Sequence, residues 1–290
     1  MKHIFLINSF SLRNKTNAMI DKIKNAASSF KLDYKIEVND INNSTEDIVS
    51  KYKNSENIIY AIGGDGVINR VLNTIVGTKN ILGFIPCGTG NDFYKTIKET
   101  FSSKLSEVDI YKINDNYFIN IACFGIDADI GNNQLIVHNK LIPKSLRYKA
   151  SILKYFTSFK PRKFKLLLDD KLYSDYFSTI CICNGRYYGG GYKINPYGRL
   201  NDGLFDLIAV NKMSKFKLIK FLLKAKKGKH IKFREVKHST SDKITIKSDQ
   251  EISANVDGEI LTAKTFKISK SNKKVKVYYD SKLINTILKD

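Results

Sequence analysis

Residues 57–76 read NIIYAIGGDGVINRVLNTIV. The apolar run Ile58-Ile59-Tyr60-Ala61-Ile62 has the length and β-branched content of a buried strand. It stops at Gly63-Gly64-Asp65-Gly66, after which Val67, Ile68, Val71, Leu72, Ile75 and Val76 recur at helical spacing. Strand, glycine turn and one-faced helix predict an α/β unit whose turn lets backbone amides approach a ligand without Cβ obstruction. The helix N-terminus carries the positive end of the dipole and unpaired N–H groups, which suits phosphate. Asp65 puts a carboxylate where an anion should bind; a bridging Mg²⁺ resolves that conflict by joining the carboxylate to phosphate oxygens. The turn fits neither the dinucleotide fingerprint nor the Walker lysine loop.

Moving outward, Lys2 to Asn8 reads as a first buried strand and Asn14 to Phe30 as an amphipathic helix. Tyr34 to Val38 predicts a second strand, Thr45 to Tyr52 a helix, and Ile81 to Ile85 a further strand. That last strand ends in a second glycine loop, Gly88-Thr89-Gly90-Asn91-Asp92, with a helix from Phe93. Strands alternating with helices predict a parallel sheet, whose ligands sit at the carboxyl ends of its strands. The two glycine turns are therefore expected to face one cleft. Alone, the second loop also reads as an Asx turn capping a helix.

After Glu107 the pattern changes. Val108 to Ile113 and Tyr117 to Phe124 read as paired strands, and Leu146 to Phe159 as a helix. Phe164 to Leu168, Tyr176 to Cys183, Leu204 to Val210, Lys243 to Ile246, Ile252 to Val256 and Phe266 to Ile268 read as strands, with one helix at Phe216 to Leu223. Strand after strand predicts a β-rich second domain. No repeat or low-complexity linker separates the halves.

The 290 residues include 49 Lys+Arg against 28 Asp+Glu, a net charge of +21. Such a surface attracts polyanions: nucleotides, anionic lipid or nucleic acid. The plain alternative is a compositional bias toward lysine, since Lys far exceeds Arg and Asn is also common. The aromatics are scattered rather than interleaved with basic residues as a stacking platform, so nucleic acid is not the expected partner. No secretory signal is visible in Met1 to Ile7, and no run approaches the ~20 apolar residues of a membrane span. Cys87, Cys123, Cys181 and Cys183 lie in apolar strand-like contexts without zinc spacing, as expected for buried reduced thiols in the cytoplasm.

Two further loops carry chemistry. Gly189-Gly190-Gly191 leads into Arg199-Leu200-Asn201-Asp202-Gly203-Leu204, where Asp202 and loop carbonyls match the needs of a hard cation. Asp257-Gly258-Glu259 places two carboxylates around a strand-end turn, as a general base and its partner. Each has a plain alternative: a glycine-rich connection with a solvated Asp, and an Asp-Gly hairpin tip.

Together the four loops resemble the diacylglycerol kinase catalytic-domain family, whose superfamily includes NAD kinases. The resemblance runs over nearly the whole chain in the family's order, with Phe118-Ile119-Asn120 through Gly125-Ile126-Asp127-Ala128 similar to its domain junction. It implies a Rossmann-like nucleotide-binding domain, residues 1–120 plus 280–290, with the C-terminal tail returning to it. A β-sandwich lipid-substrate domain at 121–279 completes the implied fold. It also implies an ATP- and Mg²⁺-dependent lipid kinase acting on diacylglycerol or a related lipid. NAD kinase activity and a non-catalytic basic module are the alternatives. By resemblance, Asn8, Ser9, Phe10, Gly63, Gly64, Asp65, Gly66, Val67, Asn69, Arg70, Gly88, Thr89, Asn91 and Asp92 bind the nucleotide. Asp65 acts through Mg²⁺, Asp257 and Glu259 share the base position, and Arg199, Asp202 and Leu204 hold a structural Mg²⁺. The chain departs from the family pattern in carrying Val67 for Thr and Arg70 for Glu, in lacking Pro and Gly after the first strand, and at Val38.

A lipid substrate in turn implies peripheral, reversible docking on an anionic membrane surface, and a homodimer stays open. Lys215, Lys217, Lys220, Lys224, Lys226, Lys227 and Lys229 surround Phe216, Ile219, Leu222 and Leu223, a lysine-flanked apolar helix face. That face either meets the membrane or packs on the β-rich half with the lysines as a solvated rim.

Overall fold

The computed structural model describes residues 1–41, 43–125 and 161–289. Its first half is built on four parallel strands: β1 (Lys2–Asn8), β2 (Tyr34–Asn39), β3 (Asn57–Gly63) and β4 (Ile81–Pro86), in the order β4-β3-β1-β2. Every residue of β3 is buried, the condition of a central strand covered on both faces. Helices α1 (Ser9–Leu12), α2 (Thr16–Ser29), α3 (Thr45–Ser50), α4 (Asp65–Ile75) and α5 (Asp92–Thr100) connect the strands. The helix expected from Asn14 starts at Thr16, after a 3₁₀ turn at Arg13–Lys15. A capping box starts α3: Ser44 Oγ accepts from Asp47 N, and Asp47 accepts from Ser44 N. On α4, Val67, Ile68, Val71, Leu72 and Ile75 are buried, as their spacing predicts.

The second half is mostly strand: β5 (Leu105–Ile113), β6 (Asn116–Phe118), β7 (Ile121–Gly125), β8 (Arg162–Leu168), β9 (Lys171–Cys183), β10 (Phe205–Asn211), β11 (Val236–Ser241), β12 (Lys243–Val256) and β13 (Glu259–Tyr278). Helices α6 (Lys215–Ala225) and α7 (Ser281–Leu288) accompany them. β7 and β8 lie end to end in one slot between β9 and β12. β7 pairs with Thr179 to Cys183 and Ala254 to Val256, and β8 with Lys171 to Phe177 and Ile244 to Lys247.

Several expectations need correction. Tyr117 to Phe124 is not one strand: it breaks at Ile119-Asn120 into β6, which pairs with β5, and β7, which pairs with β9 and β12. The break turns three backbone amides onto Asp257. The segments Lys243 to Ile246 and Ile252 to Val256 are one strand, β12, with an irregular register between Lys247 and Ile252. Phe266 to Ile268 is only the middle of the 20-residue β13, whose lysines alternate with its apolar positions. β11 went unread because most of its side chains are solvent-facing. β8 and β9 form a hairpin through Asp169 and Asp170, both at positive φ (47° and 63°). The expected Leu146 to Phe159 helix, and Ile126 to Ala128 of the junction, lie outside the described residues.

β13 joins the halves. Its Phe266 and Ile268 belong to the core of the β-rich half, and its Val275 and Val277 to the core around β1, β3 and β4. One register pair, Val277 with Leu82, runs parallel to β4. Leu283, Ile284 and Ile287 of α7 are buried in the first core. Among the described residues no helix is long and apolar enough to cross a membrane.

Candidate active site

The carboxyl ends of β1, β3 and β4 carry the Asn8–Phe10, Gly64–Gly66 and Gly88–Asn91 turns side by side. The two glycine turns touch: a Cβ on Gly88 would stand 2.5 Å from Gly64 Cα, so Gly88 has no room for a side chain, whereas a Cβ on Gly64 would meet Gly88 Cα at 3.4 Å, an ordinary contact. The late turn closes against the first, since a Cβ on Gly66 would lie 2.9 Å from Glu259 Oε1. Gly258, at φ 93°, faces the Gly66 amide from the other side. The third loop joins through Asp92, whose Oδ2 accepts from Gly190 N at 2.8 Å. Three of the loops singled out in the sequence therefore meet at one cleft, and the remaining one reaches it only through its Gly189–Gly191 end.

Within it, the side chains divide into those that hold the frame and those that remain presented. Asn91 belongs to the frame: its Oδ1 accepts from Gly88 N at 2.9 Å and its Nδ2 donates to Gly88 O at 2.8 Å, closing the second loop. Its left-handed φ of 50° is one that Asn adopts readily. Asp92 is buried and paired with Lys95 at 3.1 Å. Val67 is buried in the core beside Gly63, so only its backbone faces the turn. Asn8 Oδ1 accepts from Phe10 N at 3.1 Å, and Ser9 is tied to Asn39 at the end of β2. Phe10 and Thr89 are exposed.

Asp65 has a capping position that its sequence context did not reveal. Its two oxygens accept from Asp92 N and Phe93 N, each at 3.0 Å, at the start of α5. By contrast α4 opens at Gly64 with no side-chain cap, leaving its N-terminal end facing the cleft. Burial, and then the neighbouring Asp92 charge, push the Asp65 carboxyl above the usual carboxylate range. Lys95 is the cation that opposes this shift.

The two late carboxylates occupy opposite environments. Asp257 is buried, its carboxylate enclosed by four donors: Ile119 N at 2.8 Å, Asn120 N at 3.1 Å, Ile121 N at 2.8 Å and Asn69 Nδ2 at 3.2 Å. Burial outweighs those hydrogen bonds and pushes its pKa up to about 6. Glu259 remains partly exposed at the cleft, and both Arg70 contacts, Nε and Nη2 at 3.0 Å, fall on its Oε1. The Arg at position 70 thus meets the late acid directly. Asn69 also donates to Tyr117 O at 3.0 Å, and Asn73 donates to Tyr117 O at 2.9 Å and accepts from Tyr117 N at 2.8 Å, so α4 grips the second half through Asn69, Arg70 and Asn73.

The cation loop stands apart from the cleft. Asp202 is exposed, with Oδ1 accepting from Leu204 N at 3.2 Å. Beneath it the buried Asp109 accepts from Gly203 N at 2.7 Å and pairs with Lys274 at 3.2 Å. Lys270 Nζ also reaches Gly203, so two lysines already offset the negative charge there. Among the described residues no three His, Cys, Asp or Glu side chains cluster as a ready metal centre. The amides of Ile119 to Ile121 were missed in the sequence, because a backbone donor has no residue signature.

Two family models match the chain. Residues 2–113 match the diacylglycerol kinase catalytic domain. Residues 120–278, more than half of the chain, match the YegS C-terminal NAD kinase beta sandwich-like domain. The chain belongs to the diacylglycerol kinase catalytic-domain family. It is by that membership a transferase of the lipid kinase type. A diacylglycerol kinase of Bacillus subtilis is 28% identical over 222 residues, covering 70% of this chain and 71% of that one. One from Staphylococcus haemolyticus is 30% identical over 219 residues, covering 71% and 66%. In structure, a diacylglycerol kinase of Bacillus anthracis superposes with a TM-score of 0.70 at 18% identity, covering 97% of this chain and 98% of that one. An NAD kinase of Archaeoglobus fulgidus, solved with ATP, has a TM-score of 0.52 at 14% identity, covering 99% and 98%. Those two likenesses show the shared fold alone.

Proposed function

We propose that this family member transfers the γ-phosphate of ATP to a lipid hydroxyl, with diacylglycerol as the first substrate to test. The observation that carries the reading is the unequal placement of Asp257 and Glu259. A base must reach the substrate hydroxyl. Asp257 is enclosed by protein donors on both oxygens, whereas Glu259 stands at the cleft beside Gly66 with its contacts on one oxygen. Glu259 accepts the proton, and the hydroxyl oxygen forms its bond to the γ-phosphorus as the bond to ADP breaks. Arg70 fixes the orientation of Glu259, and Asp257 is a positioning residue that locks the β12–β13 turn onto α4 and the β6–β7 break. The open N-terminus of α4, with the Gly64 to Gly66 amides, holds the phosphates and offsets charge that develops on them. Thr89 and the Asn8–Phe10 turn border the nucleotide.

The residues fit a divalent ion at one place. Burial and then the Asp92 charge raise the Asp65 carboxyl against the opposing Asp92 and Phe93 amides and Lys95, so a cation brought with ATP relieves a repulsion already present. Asp65 would hold that ion, and Mg²⁺ when bound supplies charge neutralisation on the phosphate oxygens. For the third loop the fit rests on Asp202 with the carbonyls of Arg199 and Leu204, against two competing lysines. If an ion binds there, Asp202→Ala removes part of the Mg²⁺-induced rise in melting temperature. An unchanged rise would discard that site.

The activity test measures ATP consumption with diacylglycerol, ceramide, sphingosine and NAD in turn. Turnover with diacylglycerol is expected. Turnover with NAD alone would replace the lipid reading.

A further inference from the structure

Helix α6 is apolar on two faces, and only one of them is covered. Leu218, Phe221 and Ala225 are buried, packed with Ile208 and Val210 of β10 and Cys181 and Cys183 of β9. This is the face expected of any surface helix. Phe216, Ile219 and Leu223 follow one another at i, i+3 and i+7 on the opposite side, where they are 83%, 42% and 71% exposed. Three large apolar side chains in one exposed row are unusual for a surface helix, whose outer face is normally polar.

The charge around this row is one-sided. From residue 212 to residue 237 there are eleven Lys or Arg and a single acidic residue, Glu235. Glu235 is occupied by Lys217. By the helical period, Lys220, Lys224 and Lys227 lie along one flank of the row and Lys226 along the other, all of them exposed. A protein partner would need an acidic groove shaped to the three side chains. A bilayer surface with anionic headgroups takes both features without any such shape, since apolar side chains enter the acyl boundary and lysines meet the headgroups. The helix is also tied to the cleft. Ala225 O accepts from Lys193 N at 3.0 Å, directly after the third glycine loop, whose Gly190 N reaches Asp92.

We propose that the Phe216-Ile219-Leu223 row and its lysine flanks form the surface by which this protein docks on anionic membranes. The inference deepens the lipid-kinase reading by assigning the face on which the substrate is met. Vesicle binding is therefore measured without ATP, so that the two can fail separately.

The experiment is cosedimentation of the full chain with neutral phosphatidylcholine vesicles and with vesicles containing anionic phosphatidylglycerol, from low to high salt. Two variants accompany the parent: Phe216→Ser with Leu223→Ser, and Lys220→Gln with Lys224→Gln and Lys227→Gln. All five positions are exposed, so the melting temperatures should match the parent's. The parent is expected to bind the anionic vesicles and to lose binding steeply with salt. Each lysine near the surface is worth about fivefold in partitioning, so the triple variant should bind at least tenfold less. The serine variant should fall by a similar factor, and both should keep the parent's turnover on a short-chain, monomeric diacylglycerol. Anionic-vesicle binding equal to the parent's by either variant would overturn the proposal, as would equal binding of the parent to neutral vesicles. A parent dimer that becomes monomeric in the serine variant, with vesicle binding unchanged, would assign the row to a second copy instead. Weakened vesicle binding by both variants, with no lipid phosphorylated by any of the three proteins, would uphold the surface and remove the kinase reading.

Discussion

Glu259→Gln keeps the side chain's size and its place beside Arg70 while removing the proton acceptor. Turnover should fall by about 10²–10⁴, with ATP affinity and melting temperature near the parent's, read by steady-state kinetics and calorimetry. Asp257→Asn behaves differently. An amide group cannot accept on both sides, so its NH₂ meets either the pair Asn120 N and Ile121 N or the pair Ile119 N and Asn69 Nδ2. The expected loss is about 2–4 kcal/mol of stability from unsatisfied buried donors. A pH signature separates this from mere packing damage. The Asp257 pKa is raised to about 6, so the folded state holds a proton there that the unfolded chain has released. Its contribution to stability is full below the ordinary carboxylate pKa and is lost as pH rises through 6. The parent should therefore lose melting temperature from about pH 4.5 to pH 7 relative to Asp257→Asn; parallel pH curves would refute the protonation difference. Both carboxylates were legible in Asp257-Gly258-Glu259, but the burial of one and the exposure of the other were not. The enclosure of Asp257 comes from Asn69 and residues 119–121, far away in the chain, and no local pattern reports it.

At the level of elements, the β3–α4 and β4–α5 units were readable because a buried apolar run and a helical period each leave a local mark. The strands of the second half were harder. β13 alternates lysine with apolar residues as it passes from one core to the other, and the β6–β7 break is dictated by a carboxylate elsewhere in the sequence. The glycines of the loops also differ in kind. Gly88→Ala would drive a Cβ to 2.5 Å from the Gly64 backbone, where no flexible side chain can yield. A loss of about 2 kcal/mol or more is expected, together with weaker ATP binding, because the two turns must part. Gly190→Ala has open space around its Cβ but a φ of 84°. It should cost about 1 kcal/mol and leave ATP affinity unchanged. Thermal melting with ATP titration checks both, and equal effects at the two sites would contradict the close approach of the turns.

Across the whole molecule, the two halves share one strand and one tail. Three buried residues of α7, Leu283, Ile284 and Ile287, complete the core around β1, β3 and β4. Each contributes roughly 1.5–3 kcal/mol of burial, a sum comparable with the whole stability of many domains. Removing residues 281–290 should therefore abolish cooperative melting, as followed by circular dichroism; a truncated chain that melts like the parent would show the tail to be dispensable. The shared strand also sets an order of events during synthesis. The first sheet's partner on the β4 side is residue 277, and its last core helix ends at residue 288. Once residue 113 has been made, the ribosome needs roughly 10 to 35 seconds to reach that helix at about 5–20 residues per second. Through that interval the nascent first half carries an unpaired strand edge and an unfilled core. It must stay unaggregated in a partly folded state until residues 281–288 have been added.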